Sequence, residues 1–189
     1  AALIFDGKLF RLDPFARTLV TFILFCLVSS VVYIINDLVD IEKDRQHPQK
    51  RNRPLASGAL SPRFAIAGAS ILLLITVPPV IWLGHGLALI LYGYLALMIV
   101  YSFWLKNIVI VDVLTLAAGF VLRVAAGVVV VDAERFSPWM YVCMVLLALF
   151  LGLGKRRQEI VLMGDNAGNA RAILQEYNLR FVDEMLGLV

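Results

Sequence analysis

Charge is scarce in this chain. Lys, Arg, Asp and Glu make up 16% of its 189 residues, against 61% hydrophobic residues, and the mean hydropathy is +0.86. A soluble domain carries about a quarter charged residues and about half apolar ones. A water-soluble globule is therefore excluded, and a polytopic membrane protein is expected. Cysteine is limited to Cys26 and Cys143, both inside apolar runs. They read as small lipid- or core-facing residues, which excludes a disulfide framework or a thiolate metal site. One of the two histidines, His85, sits in the tight Gly84-His85-Gly86 connection, far from the acidic stretch described below, and is not expected to be a ligand. There is no Ser-His-Asp or Cys-His constellation and no Gly-rich phosphate loop; residues 164–168 hold too few glycines for one. Ala1 to Arg17 has no basic region followed by a compact apolar core, so no cleavable signal peptide is expected.

What the chain has instead is long apolar runs. Spans are predicted from about Thr18 to Ile35, Phe64 to Leu83, Leu87 to Leu105, Ile108 to Val131 and Pro138 to Gly154, with Phe181 to Val189 as the start of a sixth. Residues 1–16 are mixed and expected at an interface. Pro78-Pro79 is expected to break the last turn of the second span. The third span ends in Tyr101-Ser102-Phe103-Trp104-Leu105-Lys106, where aromatic residues suit the membrane interface and Lys106 can snorkel. Basic residues set the orientation. The 37–63 connection holds Lys43, Arg45, Lys50, Arg51, Arg53 and Arg63, Lys106 adds one, and the 155–176 stretch holds Lys155, Arg156, Arg157 and Arg171. The opposite connections hold Arg135, and the amino-terminal segment Lys8, Arg11 and Arg17. The positive-inside asymmetry puts the charged connections together on the cytoplasmic face.

The stretch from Asn36 to Gly58 carries the chemistry. Asp37, Asp40 and Asp44 are spaced three and then four residues apart. On a helix these steps keep all three carboxylates on one face, about 10 Å from first to last. Arg45, His47, Lys50, Arg51 and Arg53 follow. Carboxylates with adjacent cations at the end of a membrane helix suggest a site for a metal-bound phosphate. The competing reading is a solvated, charged loop between two spans. Two further groups lie in the fourth span. Asp112 is near its cytoplasmic end, and Arg123 lies three turns on, about 16 Å away on the same face. A deep intramembrane arginine faces a cavity or a partner, and a structural ion pair with another helix is the alternative. Lys155 and Glu159 form an i, i+4 pair where the fifth span ends; a positive-inside anchor is the competing account of that cluster.

Asn36, Asp37, Asp40 and Asp44 match the Asn-Asp-x-x-Asp-x-x-x-Asp motif of the UbiA superfamily of intramembrane prenyltransferases, which this chain resembles. His47-Pro48, Lys50, Arg53-Pro54 and Gly58 also fit. The fold implied is an all-α, polytopic transmembrane helix bundle of the UbiA type. It would form a single domain over 1–189, with five full spans and the start of a sixth, and would lack the first helix and the final helices of the family. Members commonly carry a second Asp-x-x-x-Asp motif at the end of the fifth span. Here Lys155 stands in place of the first Asp and Glu159 in place of the second. Gly154-Lys155-Arg156-Arg157-Gln158-Glu159, with Tyr101 to Lys106 and Gly119-Phe120-Val121-Leu122-Arg123, resembles the decaprenyl-phosphate phosphoribosyltransferase branch.

That resemblance implies a membrane-embedded transferase. It would move 5-phosphoribosyl from phosphoribosyl diphosphate to a polyprenyl (decaprenyl) phosphate and release diphosphate, in the synthesis of cell-wall arabinan precursors. Asp37, Asp40 and Asp44 would be catalytic and would bind Mg²⁺, with Mn²⁺ as an acceptable substitute. Asn36, Lys43, Lys50, Arg53, Tyr101, Lys106, Asp112, Arg123, Lys155, Arg156 and Glu159 would bind substrate. The acceptor phosphate is already an anion, so no general base is required, and in-line attack would invert C1 from α to β. The implied setting is the bacterial plasma membrane with the site on the cytoplasmic face. No nucleic-acid partner is expected, and a homo-oligomer is allowed. The alternatives are prenyl transfer from a prenyl diphosphate to an aromatic or lipid acceptor, which usually wants the missing second carboxylate pair, and a non-catalytic transporter or channel lined by Asp112 and Arg123. No internal repeat supports the transporter reading.

Overall fold

The computed structural model describes residues 2–48, 50–133, 137–163 and 178–189. Arg135, Arg171 and residues 164–168 lie outside them. Among the described residues every regular element is helical. They are α1 Ala2–Phe5, α2 Leu12–Val39, α3 Ile41–Gln46, α4 Pro62–Leu83, α5 His85–Phe103, α6 Val111–Val131, α7 Pro138–Met163 and α8 Leu179–Leu188. Short 3₁₀ turns cover Lys50–Asn52 and Leu105–Asn107. The long helices α2, α4, α5, α6 and α7 are long and apolar enough to cross a membrane.

The first span is longer than expected. It begins at Leu12 and runs to Val39, 28 residues, or about 42 Å at 1.5 Å per residue. A hydrocarbon core is about 30 Å thick, so the helix is longer than an untilted crossing needs. Pro78 and Pro79 do not break α4, which continues to Leu83. Their missing N–H groups cost two helical bonds, yet the ladder resumes, with the Gly84 N–H donating to Val80 O at 3.0 Å. The fifth span does not stop at Gly154 either: α7 carries the Lys155–Glu159 cluster on helical backbone to Met163. α5 ends earlier than expected, at Phe103, because the 3₁₀ turn turns the chain aside there.

α2 packs against α4, α5 and α6; α5 packs against α6, α6 against α7, and α7 against α8. The main core joins Leu24, Phe25 and Val28 of α2 to Val80 of α4, Leu87, Leu91, Tyr94 and Met98 of α5, and Ala126 and Val130 of α6. A second cluster joins Val113, Leu153 and Val182. Small residues set the helix separations, as expected where lipid supplies no hydrophobic drive between spans. A Cβ on Gly152 would stand 2.7 Å from Val113 Cγ1, whereas one on Gly154 would meet nothing within 4 Å. Val113 is buried, and its branched side chain has little rotamer freedom in a helix. Gly152→Ala should therefore lower stability by about 1 kcal/mol, overpacking outweighing the gain in helix propensity. Gly154→Ala should be neutral or stabilising. Thermal denaturation of both variants in detergent checks this, and equal melting temperatures would contradict it.

Candidate active site

The acidic motif straddles a break in the helix. Asp40 caps α2 with φ −100° and ψ 10° and starts α3. The ladder nevertheless persists, because the Asp40 N–H donates to Asn36 O and the Asp44 N–H to Asp40 O. Seven residues make two helical turns, so Asp37 and Asp44 share a face. Arg53 Nη1 donates to Asp37 Oδ1 at 2.7 Å and to Asp44 Oδ2 at 2.9 Å. Asp40 is turned aside. Lys106 Nζ donates to Asp40 Oδ2 at 2.6 Å and to Asn36 Oδ1 at 3.2 Å. In this arrangement the three carboxylates divide between two cations, Asp37 and Asp44 on Arg53 and Asp40 on Lys106. Lys106 does not snorkel; it is 3% exposed because the charge it needs lies inside the bundle. The chain between Lys106 and Asp112 closes through a tight turn at Ile110, where the Val111 N–H donates to Val109 O at 2.8 Å and φ is +69°. A β-branched residue in that conformation is a strained outlier.

These groups line a cavity of about 400 Å³. Thirteen of the fourteen residues singled out from the sequence border it, namely all but Asp112. Asp40, Lys106 and Lys155 thus meet at one end of the bundle, as the alternation of spans requires. Asp112 stands behind the wall, fully buried. Its Oδ2 accepts from Arg156 Nε at 2.7 Å, and Arg156 Nη1 donates to Glu159 Oε2 at 2.5 Å. Glu159 therefore pairs with Arg156 rather than with Lys155. Arg156 is 3% exposed, a neutralised strut rather than a free cation. Lys155 is exposed, and among the described residues it forms no ion pair. The His47 imidazole, also on the cavity wall, is held below its ordinary range by burial and then by the Lys50 charge. Its Nδ1 accepts from the Lys50 N–H at 3.3 Å.

Deeper in, Arg123 Nη2 donates to Tyr94 Oη at 2.6 Å and to Ser29 Oγ at 3.2 Å. Its guanidinium also lies 5.0 Å from the Tyr94 ring centroid and 5.4 Å from that of Phe120. The alternative of a structural ion pair is not what is seen: among the described residues Arg123 forms none. Ser29 and Tyr94 were not singled out in the sequence. The usable signal was spacing, since Ser29 is seven residues before Asn36 and Tyr94 seven before Tyr101, each two turns deeper on the same helix face.

Could these residues take a divalent cation? Among the described residues no three carboxylate, histidine or cysteine side chains stand close enough to enclose one. Mg²⁺, however, is ordinarily bound by one or two carboxylates, with water and substrate phosphates completing the shell. Asp37 and Asp44 already converge on a single cationic nitrogen. The all-oxygen pair fits.

A membrane helix bundle with a carboxylate-lined polar cavity at one end is the class these features define. The model of the UbiA prenyltransferase family matches residues 6–158; the chain belongs to that family. It is 36% identical over 173 residues to the decaprenyl-phosphate phosphoribosyltransferase of Mycolicibacterium smegmatis, covering 90% of this chain and 54% of that protein. It is 36% identical to the protein of the same name in Corynebacterium glutamicum, covering 86% and 50%. The chain thus spans about half the length of these relatives. The structure of a UbiA homologue from Archaeoglobus fulgidus bound to DMAPP and Mg²⁺ superposes with a TM-score of 0.78 at 19% identity, over 91% of this chain and 62% of that one. This likeness confirms the fold.

Proposed function

We propose that the protein transfers 5-phosphoribosyl from phosphoribosyl diphosphate to a polyprenyl phosphate, in a bacterial plasma membrane with the site facing the cytoplasm, in the making of cell-wall arabinan precursors. The observation that carries the reading is exposed Lys155 on the second side of the cavity, which forms no ion pair among the described residues because Glu159 is taken up, with Asp112, by Arg156. A prenyl transferase would want a second carboxylate pair there. The relatives named as decaprenyl-phosphate phosphoribosyltransferases support the same choice.

Asp37 and Asp44 would hold Mg²⁺, which when bound supplies positive charge against the departing diphosphate. The Archaeoglobus fulgidus homologues, bound to prenyl diphosphates and Mg²⁺, favour a metal of this kind. Arg53, released from the two carboxylates, can donate to diphosphate oxygens, as can Lys43 and Lys50 on the same wall. Lys106 keeps Asp40 and Asn36 in place. The bond from ribose C1 to the diphosphate oxygen breaks with its electron pair leaving on diphosphate, and an acceptor phosphate oxygen forms the new bond on the opposite face. No proton need move, because the acceptor oxygen is already ionised.

Lys155→Ala removes one charge-assisted contact, worth about 1.5–3 kcal/mol. Use of phosphoribosyl diphosphate or lipid phosphate should fall by about 10- to 150-fold, at normal membrane yield. Steady-state kinetics in membranes measures this. Unchanged kinetics with altered insertion would favour the anchor reading and leave prenyl transfer standing.

A further inference from the structure

Arg123 lies apart from the acidic motif. Its partner Ser29 precedes Asp37 by eight residues on α2, which places this end of the cavity about 12 Å deeper along the helix. An arginine at such depth is retained where it meets a counter-charge or a ligand. Among the described residues no carboxylate meets it, and its contacts are two hydroxyls and two aromatic rings. Tyr94 orients the fork, its hydroxyl accepting one N–H while Phe25 packs edge-on against its ring at 5.5 Å. Gly119, one turn before Arg123, lets α6 approach closely: a Cβ there would stand 2.8 Å from Met98 Cε and 3.3 Å from Tyr94 Cε2. The guanidinium is thus held in position and charged, and it is open to the cavity.

We propose that Arg123, with Ser29 and Tyr94, forms a second anion subsite, separate from the carboxylate mouth, that takes a phosphate monoester. The proposal rests on the phosphoribosyl reading only in that such a reaction brings two monoesters into the cavity, the lipid phosphate and the 5-phosphate of the sugar. A planar guanidinium offers paired N–H donors to phosphate oxygens, and the Tyr94 and Phe120 rings beside it brace its position.

The test is equilibrium binding to the purified protein in lipid nanodiscs, using farnesyl phosphate, farnesol and ribose 5-phosphate as probes. Arg123→Met should weaken one of the phosphate probes by about 10- to 150-fold and leave farnesol unchanged. Loss confined to farnesyl phosphate assigns the subsite to the lipid headgroup, and loss confined to ribose 5-phosphate assigns it to the sugar. Arg123→Lys should fall between, keeping charge but losing the fork. If the Met variant does not fold, Arg123→Gln carries the comparison. Equal binding of both phosphate probes by wild type and variant overturns the subsite. So does an equal loss for farnesol, or a wild type that binds neither phosphate probe. Because binding is read and not turnover, a protein that transfers no phosphoribosyl would still report this subsite, and a competent transferase with unchanged variant binding would sink the subsite alone.

Discussion

Asp37→Asn or Asp44→Asn should abolish turnover while leaving the helices intact. Asparagine keeps the shape of each side chain and removes the charge on which the pair depends. A bound metal supplies several kcal/mol of charge stabilisation in the transition state. Taking that as about 4 kcal/mol, the rate falls by about 1000-fold. Asp40→Asn should be milder, because Asp40 acts through Lys106 and not on the shared cation. Turnover against Mg²⁺ concentration, with circular dichroism as the check on folding, reads all three variants. Full activity of Asp37→Asn, or of the wild type in chelator, would contradict the metal role.

Asp112→Ala should produce the largest loss of stability. Arg156 is sealed in the wall and held by two carboxylates, of which Asp112 is the more deeply buried. Removing one partner of a buried pair leaves a charge without compensation, at a cost of about 3–5 kcal/mol. Glu159 remains, so the lower end, about 3 kcal/mol, is expected. The readout is thermal denaturation in detergent. Lys155→Ala, next to Arg156 on α7, should leave the melting temperature unchanged, which separates the structural strut from the exposed cation beside it. An Asp112→Ala protein as stable as the wild type would mean that the pair does not hold α6 to α7.

The spans were legible because apolar runs and basic connections speak directly to a bilayer. Their ends were less so. α2 outlasts its apolar run because Asn36 meets buried Lys106 and Asp37 meets Arg53 of the following connection, and α7 outlasts Gly154 because Arg156 is neutralised by Asp112 and Glu159. Hydropathy counts those residues as polar without seeing their counter-charges. The motif spacing located the carboxylates but not their division of labour, which depends on Arg53 and Lys106 arriving from elsewhere in the chain. Asp112 looked like a site residue, yet it backs the site, because its depth is a tertiary fact. Ser29 and Tyr94 are single polar residues in apolar runs, and only the arrival of Arg123 from α6 distinguishes them from ordinary packing residues.

The central claim is the identity of the transferred group. Membranes carrying the protein can be given Mg²⁺, polyprenyl phosphate and an aromatic acceptor, with either ribose-labelled phosphoribosyl diphosphate or labelled prenyl diphosphate. The account predicts label from phosphoribosyl diphosphate in the lipid fraction, dependent on polyprenyl phosphate and lost in chelator. Label that moves from prenyl diphosphate to the aromatic acceptor, while phosphoribosyl label stays in the aqueous phase, would contradict it.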